Sequence, residues 1–401
     1  ARYSLSATGN TSYGWWAGGC TSGPGGSLST VDRIDYSSDT STASARGPLS
    51  IIQRLHGGTS SRINGFPGPS SATRSATQIN GSPYGYYGGG FNPSPSEYSS
   101  IERIDYDNDT ATAVVKGSMT LVRRQYGATG NTSYGYNGGG RVSHNTGTSI
   151  VDRIDYSSDS STTSPKGPLS IATHSYPAAV GNASYGYWGG GKTGSPGTTG
   201  TSNADRLDYS SDTTTAAAKG PLSTGRYRTA ATGNTSYGYW GGGYPNTSPF
   251  AIKTWIERLD YSSDTTTGVV KGPLTVTRDR PSATGNASYG YWSGGNDPSS
   301  LSSVDRLDFS SDTTAASPKG PLSTPNHAHG GTGNTSYGYF AGGNGAGSPY
   351  SKLDRVDYSN DTPTTAVRGN LSADRREILG SGVSSQANSL GSSTVYPWYD
   401  T

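Results

Sequence analysis

Arg33 stands between two carboxylates, Asp32 and Asp35, in the stretch VDRIDYSSD. An arginine held by acids is the kind of group a catalytic centre uses to grip or polarise a substrate, because the planar guanidinium offers several fixed donors. The arrangement recurs at Arg103, Arg153, Arg206, Arg258, Arg306 and Arg355. A catalytic constellation is needed once per chain, whereas a structural brace is needed once per repeat, so these arginines read as braces. In a strand, Val31, Arg33 and Asp35 share one face while Asp32, Ile34 and Tyr36 share the other, which suits a strand covered by neighbours on both sides. The three acidic positions per unit hold 21 of the 28 acidic residues. If such an arginine is buried, Arg206→Ala costs roughly 3 to 5 kcal/mol.

Other residues invite chemistry and are explained more simply. Asp105, Asp107 and Asp109 follow the spacing of half a calcium loop, but the glycine and distal glutamate of a full loop are missing, and a turn capped by Asx and Ser side chains accounts for them. The runs SYGWWAGG, SYGYWGGG and SYGYFAGG could offer ring faces to a sugar, yet their recurrence points to packing between repeats. N-x-S triplets at Asn10, Asn131, Asn182, Asn234, Asn286 and Asn334 are formal glycosylation acceptors, and their fixed place is what a Gly-Asn turn requires. His56, His144, His174, His327 and His329 fall in loops without nearby co-ligands, so no metal site is expected. Cys20 is the single cysteine and can form no disulfide within the chain. No catalytic set and no cofactor are expected.

The 401 residues include 60 Gly, 23 Pro and 29 Tyr with only 30% hydrophobic residues, which limits any aliphatic core and leaves aromatics to supply apolar area. Abundant Tyr, Trp, Thr and Val argue against disorder. A net charge of +2 gives no field that would imply nucleic acid or an anionic membrane as partner. No apolar run approaches the roughly 18 to 20 residues of a membrane span, so membrane insertion is not expected. The chain opens on Ala1, which fits removal of an initiator Met or of a longer leader.

The marker arginines lie 70, 50, 53, 52, 48 and 49 residues apart, giving seven units of about fifty residues, and the long first interval holds an insertion over about 51–75. Each unit contains a segment ending in Gly-Asn, an aromatic run ending in glycines, the arginine motif, and a Thr/Ala/Val segment closing on KGPLS. Alternation, β-branched residues and boundaries at Gly, Asn, Asp and Pro are strand signals, and no stretch has helical periodicity. Each unit is therefore expected to be a four-stranded antiparallel meander. Such a sheet cannot cover both its faces alone, whereas copies around an axis can. The expected fold is all-β, a seven-bladed β-propeller over 1–372, with a linear solenoid as second choice; residues 373–401 form an extension.

The order GPLS…R…GN.SYGYWGGG…VDRIDYSSDT resembles the kelch repeat, in its double glycine, its V.-Y-D strand and its P…R, though the fourth strand has Thr, Ala or Val where kelch units usually carry Trp. The resemblance implies a kelch-like propeller. The near-identical units also resemble kelch-like proteins encoded by tailed marine bacteriophages, which implies a place on a virion.

First and third connections barely change between units, while second connections and crossovers change freely. These lie on opposite faces of an up-and-down blade. Individuality belongs where a partner is read, so Tyr244, Phe250, Trp255, His327 and Tyr350 are candidate contacts. In the extension, Tyr396, Trp398 and Tyr399 form an apolar end expected to dock on a neighbouring subunit or assembly partner. The functional expectation is a non-enzymatic structural or attachment component of a virus particle, a tailed-phage appendage or surface component within an oligomeric assembly, that contacts other virion or surface proteins or a host-cell surface glycan or receptor. The rivals are a secreted adhesin or lectin-like propeller binding glycans, and a propeller enzyme.

Overall fold

The computed structural model describes residues 6–9, 13–17, 29–35, 42–46, 83–92, 97–143, 146–173, 176–193, 199–245, 252–378 and 383–384. The chain divides into two compact units, Ala1–Ile79 and Asn80–Thr401. The first holds a four-stranded antiparallel sheet of Ser6–Gly9, Tyr13–Ala17, Val31–Asp35 and Ser44–Arg46. The second is a β-propeller of four-stranded antiparallel blades.

The fifth repeat shows how the sequence makes a blade. Ala230–Gly233 is the innermost strand, followed by Tyr237–Gly241, Ile256–Asp260 and Val269–Val270. The Asn234 side-chain oxygen accepts from the N–H groups of Ser236 and Tyr237, both at 2.9 Å, so the N-x-S triplet closes the first turn as expected. In the third connection Asp260 caps a 3-10 turn, Tyr261–Ser263, by accepting from the Ser262 N–H at 2.9 Å and its hydroxyl at 2.7 Å. The aromatic run packs inward: Tyr239 and Trp240 are buried, and the Trp240 indole donates to the carbonyl of Ala178 in the previous blade at 3.1 Å. The glycine of the closing KGP is required by contact. The Gly220 N–H donates to the Asp264 carbonyl of the next blade at 2.6 Å, and a Cβ there would overlap the Thr266 carbonyl oxygen.

The expectation of seven blades in one ring is corrected to six within Asn80–Thr401. The last blade, built on Tyr337–Ala341, Ser348–Asp357 and Ala366–Arg375, packs against the second repeat: Tyr87 donates to the Tyr339 carbonyl at 3.0 Å and Gly369 to the Asp109 carbonyl at 2.7 Å. The closing blade takes its innermost strand from the far end of the chain. Val383–Ser384 pairs with Tyr86 and Gly85, in the place held elsewhere by strands such as Thr232–Gly233 against Tyr239 and Gly238. It lies between the innermost strands Gly330–Gly333 and Gly127–Gly130, which completes the inner circle. Part of the expected extension is thus a component of the ring. Tyr396, Trp398, Tyr399, the 51–75 insertion and Cys20 lie outside the described residues.

Candidate functional site

Six of the seven marker arginines, those within Asn80–Thr401, are placed between blades. Arg103 pairs with Asp159, Arg153 with Asp212, Arg206 with Asp264, Arg258 with Asp312, Arg306 with Asp361 and Arg355 with Asp109, at 2.6 to 2.8 Å. The partner is the last acid of the following repeat, not the acid two residues along on the same face. The guanidinium groups remain about a quarter exposed while the carboxylates are nearly covered, as in Arg153 at 23% against Asp212 at 8%. The arginine is thus a lid over a buried acid. Beneath it a tyrosine hydroxyl donates to the same oxygen, Tyr187 to Asp264 at 2.9 Å, and a lysine, Lys219, reaches the other oxygen at 3.4 Å. That tyrosine stacks on the ring of the next blade's motif, Tyr187 on Tyr261 at 4.7 Å, and burial followed by the acid pushes its hydroxyl pKa up. Asp109, from the DxDxD spacing, is committed in the same way to Arg355, Tyr339 and Arg368.

A second ion pair on the opposite face of the strand escaped the sequence reading. Arg123 meets Asp152, Arg226 meets Glu257, Arg278 meets Asp305 and Arg375 meets Glu102, all fully or almost fully buried. These acids are the first acid of the motif, and each arginine lies seven residues after the Lys or Arg that opens KGPLS or its equivalent. Thr173 and Asn326 occupy that place in the other two crossovers, where Ser170 caps Asp205 at 2.8 Å through its N–H, and Lys352 meets Asp354 at 3.2 Å. Recurrence at this register was the available signal.

Two residues after each such position the chain adopts the left-handed conformation, at Gln125, Arg228, Arg280, Ala328 and Glu377, and one residue later in the crossover that carries an extra residue, at Tyr176. Their backbones join around the axis: Tyr176 donates to Gln125, Arg280 to Arg228, Ala328 to Arg280, Glu377 to Ala328 and Gln125 to Glu377, at 2.8 to 3.1 Å. These six crossovers form the collar of an axial mouth. Arg228 at 3.3 Å and Arg280 at 3.0 Å share one oxygen of Asp279, and Gln125 donates to Glu377 at 2.8 Å.

Beside the collar, the residue before five of the six left-handed positions pairs with the residue after a Gly-Gly: Arg124 with Arg141, Tyr227 with Tyr244, Asp279 with Asn296, His327 with Asn344 and Arg376 with Phe91. The backbone is one and the same; the side chains differ at each of these five junctions. This joins second connections to crossovers on one face, as expected.

Among the candidate contacts, Tyr244 stacks on Tyr227 at 5.6 Å beside Arg228, and Lys192 lies 4.2 Å from the Tyr227 ring centre. His327 lies in the positive field of Arg280, Arg376 and Arg228, and burial, followed by these charges, lowers its pKa to about 4. Its ring bonds Ser300 at 2.9 Å and Asn344 at 3.2 Å. Trp255 and Tyr350 are half-buried beside their own lysines, Lys253 and Lys352. Phe250, His56, His144 and His174 lie outside the described residues. Lys192 and Tyr227 were missed because each is unique to its repeat, and Arg228 and Arg280, which share one register, because only the collar brings both to Asp279. Among the described residues, no cluster of three or more His, Cys, Asp or Glu side chains could hold a metal ion.

No protein-family model matches the chain, and neither does any curated protein sequence. Among solved structures, one titled "Structure of YjhT" matches with a TM-score of 0.55 at 12% identity, over 65% of this chain and 87% of that chain. The likeness is one of fold. It supports the propeller reached from the blades and carries no residue assignment to the axial mouth.

Proposed function

We propose that this chain is a non-enzymatic, kelch-like binding propeller that serves as a structural or attachment component of a virus particle, with the unrepeated face as its reading surface. One observation carries this reading: the repeated Arg, Tyr and Asp side chains are consumed in joining blades, while the side chains that differ between junctions gather around the axial mouth. A rigid disc with individual loops is the arrangement that binding uses. The placement on a virion rests on the resemblance of the repeats to kelch-like phage proteins, and the partners are other virion proteins or a host-surface receptor.

The test is sedimentation of native particles. Co-sedimentation of the protein at fixed stoichiometry with capsid or tail proteins supports the reading, and recovery only as free or cell-bound protein overturns it. The second reading, a secreted lectin-like propeller, is favoured by the half-buried Tyr227–Tyr244 stack beside two cations.

A further inference from the structure

We propose that the stacked pair Tyr227–Tyr244, with Lys192 and Arg228 at its sides, binds an acidic saccharide, an oligosaccharide bearing carboxylate or sulfate groups. The inference rests on the reading that the unrepeated face is the binding face and names what that face takes.

The Tyr227–Tyr244 pair is the only one of the five described junction pairs built from two aromatic residues. The rings lie 15° from parallel and both residues are half-buried; with Tyr227 stacked on Tyr244 and covered by Lys192, the face of Tyr244 turned away from Tyr227 is the one a sugar ring would meet. The C–H face of a pyranose carries a slight positive charge and packs on the negative face of an aromatic ring. A tyrosine also holds a ligand at low entropic cost because it has few rotatable bonds.

The cations supply the second half of the chemistry. Lys192 lies over Tyr227 and has no carboxylate partner among the described residues. Arg228 lies 5.4 Å from the Tyr227 centre and 5.7 Å from that of Tyr244. Its carboxylate, Asp279, is shared with Arg280, so one acid faces two guanidinium groups. An excess of positive charge beside an aromatic shelf is complementary to a ligand with an apolar ring face and an anionic edge. Burial and the Arg228 charge lower the Lys192 pKa, a pressure that a bound anion would relieve.

The experiment is calorimetric titration of the full chain with tetragalacturonate, a sulfated chondroitin tetrasaccharide, neutral galactotetraose and sodium sulfate. At least one charged oligosaccharide should bind, weaken as salt is raised, and lose about tenfold or more in affinity in Tyr244→Ala and in Lys192→Ala. Tyr244→Phe should retain binding, since it keeps the ring. Unchanged thermal unfolding of the variants shows that the blade is intact. The proposal is overturned if neither charged oligosaccharide binds the folded chain, if galactotetraose binds equally well, if both alanine variants bind as the parent does, or if sulfate alone binds as tightly. Failure here with particle co-sedimentation preserved removes the saccharide and leaves the virion reading standing.

Discussion

The Arg355 guanidinium lies 2.8 Å from the Asp109 carboxylate, across 246 residues of chain, and this contact closes the ring. Asp109, from the first repeat of Asn80–Thr401, is enclosed by Arg355, Tyr339 and Arg368 of the last repeat. Each blade presents the same arginine on one side and the same acid on the other, so any blade can follow any other.

The lid arrangement implies unequal effects at its two ends. Arg206→Ala leaves Asp264 with Lys219 and Tyr187, and because Arg206 is 25% exposed water can reach the gap; a loss of about 1 to 2 kcal/mol is expected, below the figure for a buried arginine. Asp264→Ala strands two cations and a buried hydroxyl, and about 3 to 5 kcal/mol is expected. Urea unfolding of the two variants measures the difference.

The buried pair Arg226–Glu257 behaves differently. Arg226→Ala leaves Glu257, which is 0% exposed, without its countercharge, at a cost of about 3 to 5 kcal/mol. Adding Glu257→Met to Arg226→Met should recover most of that loss, because no charge is then left buried. Tm values for the single and double variants check this.

Truncation after Ile378 removes the strand Val383–Ser384 and leaves the edge of Tyr84–Gly88 unpaired at the centre of the disc. The expected result is a lower Tm and self-association through the exposed edge, read by calorimetry and light scattering. An unchanged Tm would show that this strand contributes nothing to closure.

His329 is fully buried, its Nε2 lies 2.8 Å from the Ser293 hydroxyl, and burial, followed by His327, Lys352 and Arg278, lowers its pKa from 6.5 to about 3. The folded state therefore binds fewer protons than the unfolded chain between these values. Its contribution is complete above pH 6.5 and is lost progressively as pH falls towards 3. This residue's share of the loss between pH 7 and pH 5 is about 2 kcal/mol, His327 adds a similar share, and His329→Gln should about halve the slope. Unfolding free energies of both proteins at the two pH values test it.

The blade was legible in the sequence because its causes are local. Strand alternation, the Asn234 turn, the Asp260 cap and the glycine of KGP act within a few residues or against an identical neighbour, so each repeat states them afresh. The aromatic run was read correctly as packing for the same reason. Which acid the marker arginine meets was not legible, because Asp264 lies 58 residues from Arg206 and adjacency in a ring leaves no trace in spacing. Blade number could not be read either: interchangeable interfaces make the repeat count and the ring count separate quantities, and the choice fell to the Arg355–Asp109 contact and the strand Val383–Ser384. The axial mouth is likewise tertiary. Lys192, the pair Tyr227 and Tyr244, and Arg280 come from three successive repeats, and only the closed ring sets them side by side.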